Sequence, residues 1–189
     1  MKSKNQIRRK KGFSLIEAAI VLGIVGLVIG GIWVAASAVQ TNLRESTASQ
    51  GILQVVQNVR NLYYGQTVSA TTTGTGLQTT LVSAGVFPGD MLQGSTPKNP
   101  WNGAVQINIS DTSNGYFTVY FATIPQSSCI ELISQNTNIS SGIGLVNVIV
   151  DDGTAATIST FPISPATAAG SGGCGAATNN VTWTFNLKG

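Results

Sequence analysis

Few side chains in this 189-residue sequence could do chemistry through their position. They are a single carboxylate, Glu17, at the edge of a long apolar run, two cysteines, Cys129 and Cys174, and the adjacent acids of Asp151-Asp152-Gly153. There is no histidine, which removes the usual general base, the commonest metal ligand and every His-dependent nucleophile triad. Asp151-Asp152-Gly153 lacks the DxDxDG spacing of a calcium loop and reads as a tight turn. The expectation is therefore a chain that is not an enzyme, with no catalytic residue, no metal site and no cofactor. Cys129 and Cys174 have neither histidine nor CxxC spacing beside them, which points to a disulfide for a chain exported from the cytoplasm, with two unpaired buried thiols as the alternative. Glu17 is left without an obvious task.

The charges narrow the reading. Only 9% of residues are charged, against roughly 25% in ordinary soluble domains. Lys2, Lys4, Arg8, Arg9, Lys10 and Lys11 place six of the ten basic residues before residue 13, with no acid among them. From Phe13 onward four basic residues face seven acidic ones, a balance of −3. If the basic leader is removed, the remainder has no clustered cations for a nucleic-acid backbone, and no direct nucleic-acid binding is expected.

Ala18 to Ala36 then runs nineteen residues without a charge or a hydrogen-bonding side chain other than the Trp33 indole. As a helix rising about 1.5 Å per residue, it can cross a hydrocarbon core of about 30 Å. The preceding Lys/Arg cluster should keep the N-terminal end in the cytoplasm. A permanent anchor, a secretory signal and a temporary membrane segment all compete here. Ala36-Ser37-Ala38 fits a small-residue cleavage site that would release a secreted binding domain starting at Val39. Against that, the run is longer than the usual signal core, and a carboxylate at membrane depth is costly and marks a functional site.

Lys11-Gly12-Phe13-Ser14-Leu15-Ile16-Glu17, followed by the apolar run, resembles the class III signal of type IV pilins and the related pseudopilins. The resemblance implies cleavage between Gly12 and Phe13 by a membrane-embedded prepilin peptidase, with N-methylation of Phe13 and a mature chain of 177 residues. It also implies a bacterial inner-membrane precursor, single-pass with its N-terminus cytoplasmic, that polymerises into an extracellular homopolymeric filament with help from an assembly ATPase and platform. Glu17 then gains a role in assembly. Cleavage creates a positive amine at Phe13, and in a bundle of such helices a neighbour's amine can pair with the otherwise unfavourable buried carboxylate.

Beyond the apolar run, Leu43, Ala48, Ile52, Val55, Val56, Val59, Leu62 and Tyr63 recur at spacings of three and four, the pattern of an amphipathic helix with one face to bury. The spacing predicts one helix from about Phe13 to Tyr64, ended by Gly65, with Gly30-Gly31 as its candidate weak point. Four segments are expected: a removed leader (1–12), a membrane and polymerisation helix (13–40), an amphipathic helix (41–64) and a globular head (65–189). In the head, a helical turn is expected near Leu77 to Gly85, strands over Ala104 to Ile109 and Tyr116 to Ala122 joined as a hairpin, and a short helix over Gln126 to Gln135. Further strands are expected over Ile143 to Val150, Ala156 to Phe161 and Val181 to Leu187. Packing the amphipathic helix on this antiparallel sheet gives an α+β, pilin-like fold. Asn99-Pro100-Trp101-Asn102-Gly103 resembles the segment that enters the sheet in many pilins and pseudopilins, with Trp101 expected as a core plug.

A first cysteine inside a short helix and a second one before a last strand resembles type IVb pilins, whose C-terminal disulfide encloses a variable region. The function implied is that of a structural pilus subunit serving adhesion, aggregation, motility or DNA transfer. A pseudopilin of a type II secretion system is the alternative, and the cysteines weigh against it.

Overall fold

A computed structural model describes residues 14–64, 74–110, 115–137, 140–153 and 155–187. The chain divides into two compact units, residues 1–40 and 41–189. Helix α1 (Leu15–Tyr63) contributes to both.

In the first unit α1 is helical through Gly30-Gly31, so the expected weak point does not interrupt it. Its large side chains, among them Leu15, Leu22, Leu27, Ile32 and Trp33, are exposed. Among the described residues, α1 is the one helix long and apolar enough to cross a membrane.

In the second unit, residues 41–63 of α1 turn one face into a core. Ala48, Gly51, Ile52, Val55, Val56 and Val59 are buried, at the three- and four-residue spacing that an amphipathic helix requires. Leu43, assigned to this face by periodicity, is 61% exposed instead. It precedes Ala48 by five residues, and at about 100° per residue that turns it away from the buried face.

The remaining elements are α2 (Thr75–Ser83), a 3-10 turn (Gly89–Met91), a minimal hairpin of β1 (Leu92–Gln93) and β2 (Thr96–Pro97), β3 (Val105–Ile109), β4 (Tyr116–Pro125), α3 (Gln126–Thr137), α4 (Ser140–Ile143), β5 (Leu145–Asp151), β6 (Ala156–Ile158), α5 (Pro165–Ala168) and β7 (Thr178–Asn186). Five strands form one sheet in the order β3-β4-β7-β5-β6, with every neighbouring pair antiparallel. The last strand thus lies at the centre. Residues 111–114, the body of the expected β3–β4 hairpin loop, fall outside the described residues, but the two strands pair in simple register from Val105–Phe121 to Ile109–Phe117.

Alternation gives the sheet a dry face and a wet one. Val105, Ile107 and Ile109, Phe117, Val119 and Phe121, and Val181, Trp183 and Phe185 are buried, and they share one core with the buried face of α1. Phe117 stacks on Phe185 at 5.5 Å and Phe121 meets Trp183 edge-on at 5.4 Å, so aromatic pairs link β4 to β7. The core plug is Trp183. Trp101 packs only at the margin and is partly buried.

Several strand boundaries differ from the expected ones, and β4 runs past Ala122 to Pro125. Residue 143 ends α4, so β5 begins at Leu145. Strand β6 stops at Ile158, and β7 begins three residues early, at Thr178, where it pairs with Pro125 beyond a bulge in β4. The Asp151-Asp152-Gly153 turn is as expected, with the Gly153 N–H donating to Asp151 Oδ1 at 3.0 Å.

Candidate assembly surface and the head that carries it

Of the residues expected to be processed or to drive assembly, Gly12 and Phe13 lie outside the described residues. Glu17 lies in the first turn of α1, and its side chain is exposed. A carboxylate there complements the positive end of the helix macrodipole. Around it the helix has no polar face. Exposed apolar residues run consecutively at Ile20-Val21-Leu22, Leu27-Val28-Ile29 and Ile32-Trp33-Val34, and at 100° per residue such runs cover the cylinder on every side. A helix apolar all round is stable when lipid or other apolar helices surround it. This surface has the chemistry of an assembly or membrane element rather than of a small-molecule site.

The head is tied to α1 by polar contacts as well as packing. Arg60, in the last turn, donates from Nε and Nη2 to the Asn186 carbonyl at 3.1 and 2.8 Å, and from Nη2 to the Ile143 carbonyl at 2.7 Å. One guanidinium thus holds the end of β7 and the end of α4. Burial lowers its pKa from the ordinary arginine value, yet an arginine stays charged throughout the physiological range. Gly144, at φ +59°, faces this guanidinium, and a β-carbon added there would lie 2.5 Å from Nη2. Asn58 Nδ2 donates to the Val86 carbonyl at 2.9 Å and so fixes the segment after α2. None of these polar ties is visible in the sequence, although an arginine in the last turn of an amphipathic helix is a usable signal.

Cys129 and Cys174 form a disulfide with Cα atoms 6.0 Å apart, and both are fully buried. Cys129 lies within α3, and Cys174 follows α5, with its N–H donating to the Ala168 carbonyl at 2.7 Å. Gln126 Nε2 donates to the Cys174 carbonyl at 3.0 Å. The bridge therefore fastens the stretch between β6 and β7 to α3.

The Asn99-Gly103 corner is built around one buried amide. Asn99 Oδ1 accepts from the N–H groups of Trp101 (3.0 Å) and Gly103 (2.8 Å), while its Nδ2 donates to the Ala122 carbonyl at 2.7 Å. Gly103 approaches β4 so closely that a β-carbon there would overlap the Ala122 carbonyl oxygen and Thr123 Oγ1. This lock delivers the chain into β3.

Among the described residues no group of three or more His, Cys, Asp or Glu could hold a metal ion. The head carries several surface grooves. One is lined by Asn42, Glu45, Ser46 and Gln50 of α1 with Glu131 and Gln135 of α3.

Comparison with known proteins agrees with this geometry. Residues 42–186 match the family described as "PilS N terminal". Residues 7–33 match the "Prokaryotic N-terminal methylation motif". The major structural subunit of the bundle-forming pilus of Escherichia coli O127:H6 (strain E2348/69 / EPEC) is 26% identical over 138 residues, covering 70% of this chain and 68% of that protein. Among solved structures, the type IVb pilin from Salmonella typhi gives a TM-score of 0.57 at 21% identity, covering 75% of this chain and 99% of the other. TcpA, a type IV pilin from Vibrio cholerae El Tor biotype, gives 0.51 at 18% identity, covering 76% and 99%. These structural likenesses concern the fold: a long N-terminal helix packed on an antiparallel sheet. Because the first family match takes in well over half of the sequence, the chain belongs to the PilS family of type IV pilins.

Proposed function

We propose that the chain is a structural subunit of a type IV pilus. It enters the inner membrane as a precursor held by the Ala18 to Ala36 segment, with its basic leader cytoplasmic. A prepilin peptidase cuts between Gly12 and Phe13 and methylates the new amine of Phe13. An assembly ATPase and platform then extract the mature subunit into a filament whose core is a bundle of α1 helices.

The observation that carries this reading is the surface of α1. From Leu15 to Val39 its large apolar side chains are exposed with no polar face between them, and a filament core or a bilayer supplies what this chain does not. Glu17 is the lone acid in that surface, and in a bundle its natural partner is the Phe13 amine of a neighbour. Taking a charge from water is unfavourable unless it is paired, so each subunit settles where its acid meets an amine. The pair fixes axial stagger more than it adds net stability. The name of the Escherichia coli relative, a major structural subunit, supports the same role, and the Cys129–Cys174 disulfide favours a pilus over a secretion pseudopilus.

The intact mass of the processed protein tests the proposal. Residues 13–189 plus one methyl group are expected, whereas a chain beginning at Val39 would refute it. A Glu17→Ala variant should be inserted and cleaved but should fail to form filaments visible by electron microscopy. Normal filaments from that variant would remove Glu17 from assembly.

A further inference from the structure

The apolar stretch of α1 is longer than the hydrocarbon it would cross. Exposed large apolar side chains run from Leu15 to Val39. Those twenty-five residues reach about 37 Å as a helix, against a hydrocarbon core of about 30 Å. With that excess the helix can lie at several depths at similar cost. Length alone therefore leaves its depth unset.

Three side chains between Leu15 and Val39 carry a hydrogen-bonding group: Glu17, Trp33 and Ser37. Ser37 is indifferent to depth, since its Oγ donates to the Val34 carbonyl at 2.8 Å within the helix itself. Glu17 sits in the first turn, at the end that follows the basic leader. Trp33 lies toward the other end, and its indole is 74% exposed. A ring that is apolar over most of its area but carries an N–H at its edge is most stable where acyl chains meet headgroups.

The spacing fits one bilayer. Trp33 lies eighteen residues beyond the start of α1 at Leu15, about 27 Å along the helix. With the indole at the periplasmic boundary, Leu15 comes to the cytoplasmic one. Phe13 precedes Leu15 by two residues, and Lys10 and Lys11 come immediately before Gly12, on the side where basic residues meet anionic headgroups.

We propose that Trp33 is a lipid-contact site: in the membrane-inserted precursor proposed above, on which this inference rests, its indole seats among the phospholipid headgroups of the periplasmic leaflet and fixes the depth of α1. Trp33 is thereby a positioning residue for processing. Without it, the spare length of about 7 Å lets the Gly12–Phe13 bond move along the membrane normal, away from the surface where the peptidase cuts.

The test uses the unprocessed full chain in phospholipid vesicles whose acyl chains carry bromine either near the headgroup or near the bilayer centre. Trp101 and Trp183 belong to the head, and the Trp33→Phe chain supplies their background. Quenching of Trp33 fluorescence should be strongest with bromine near the headgroup. In the same vesicles, Trp33→Leu should slow cleavage after Gly12 about threefold, the scale of a mismatch of about 1–2 Å, and Trp33→Tyr, which keeps an amphipathic ring, should restore the rate. Strongest quenching by the central bromines, or Trp33→Leu cleaved at the unmodified rate, would overturn the anchor. Weak quenching at both depths that rises as the chain is diluted in lipid would place a second copy on the indole and overturn it too. A chain that does not float with the vesicles would overturn the membrane precursor itself.

Discussion

Arg60 donates two hydrogen bonds to the Asn186 carbonyl, from Nε at 3.1 Å and Nη2 at 2.8 Å, across 126 residues of sequence. The same Nη2 also reaches the Ile143 carbonyl, so α1, α4 and β7 end at one cation. Arg60→Ala leaves two carbonyls without this donor and should destabilise the head by about 1.5–3 kcal/mol, the usual scale for hydrogen bonds to a charged group. Arg60→Lys should recover only part of the loss, because an ammonium on a flexible stem cannot reproduce the planar fork. Denaturant midpoints of the three proteins, compared at unchanged slope, check the ranking.

The Asn99 lock predicts two separable defects. Asn99→Ala leaves the Trp101 and Gly103 N–H groups and the Ala122 carbonyl without their shared partner, at a cost of about 1–3 kcal/mol. Gly103→Ala keeps the Asn99 amide but drives a methyl group onto the Ala122 carbonyl of β4 that this amide uses, which should cost at least about 1–3 kcal/mol through displaced backbone. Combined, the two changes should cost less than their sum, because both loosen the same corner. A double-mutant cycle on thermal stability measures the difference.

Parts of this fold were legible because their causes are local. The alternation of Val105, Ile107 and Ile109, the three- and four-residue spacing from Ala48 to Val59, and Pro125 ahead of α3 each act within a few residues. The apolar run around Glu17 was equally plain, since its meaning depends on composition. Placement of β7 between β4 and β5 was not legible, because antiparallel pairing between segments distant in sequence leaves no local trace. Neither was the role of Arg60. An arginine in a last turn looks ordinary until the carbonyl of Asn186 is in place. The Asn99-Gly103 spacing was visible, but its reason, the Ala122 carbonyl, comes from another strand. Leu43 shows the reverse error, an apolar residue that precedes Ala48 by five positions and is therefore out of phase with the buried face.

The disulfide closes a loop of 45 residues, and restricting such a loop in the unfolded chain is worth about 4 kcal/mol in the chain-entropy model. Because total stabilities of domains run to only about 5–15 kcal/mol, replacing both cysteines by serine should leave the head marginal. Loss should be greatest between α5 and β7, where Cys174 and the Gln126 contact hold the loop. Both sulfurs are buried, so a thiol reductant should act slowly on the native protein and rapidly once denaturant opens the head. Alkylation followed by mass measurement, with and without denaturant, checks that order.

Tyr63 connects stability to alkaline pH. It packs against the head's core near the end of α1, and burial raises its pKa above the ordinary value of 10.0. In the folded state the phenol holds its proton to higher pH than in the unfolded chain, so over that window the native form binds more protons. Stability from this group is therefore complete below the ordinary tyrosine range and is lost as pH climbs through the folded value. Arg60, whose pKa burial lowers from the ordinary arginine value, remains charged across the same window and does not reverse the sign. Tyr63→Phe removes the titrating group while keeping most of the ring packing, so its unfolding midpoint should decline less steeply than that of the unmodified protein above about pH 9. Parallel decline of the two midpoints across that range would show that Tyr63 does not govern alkaline unfolding.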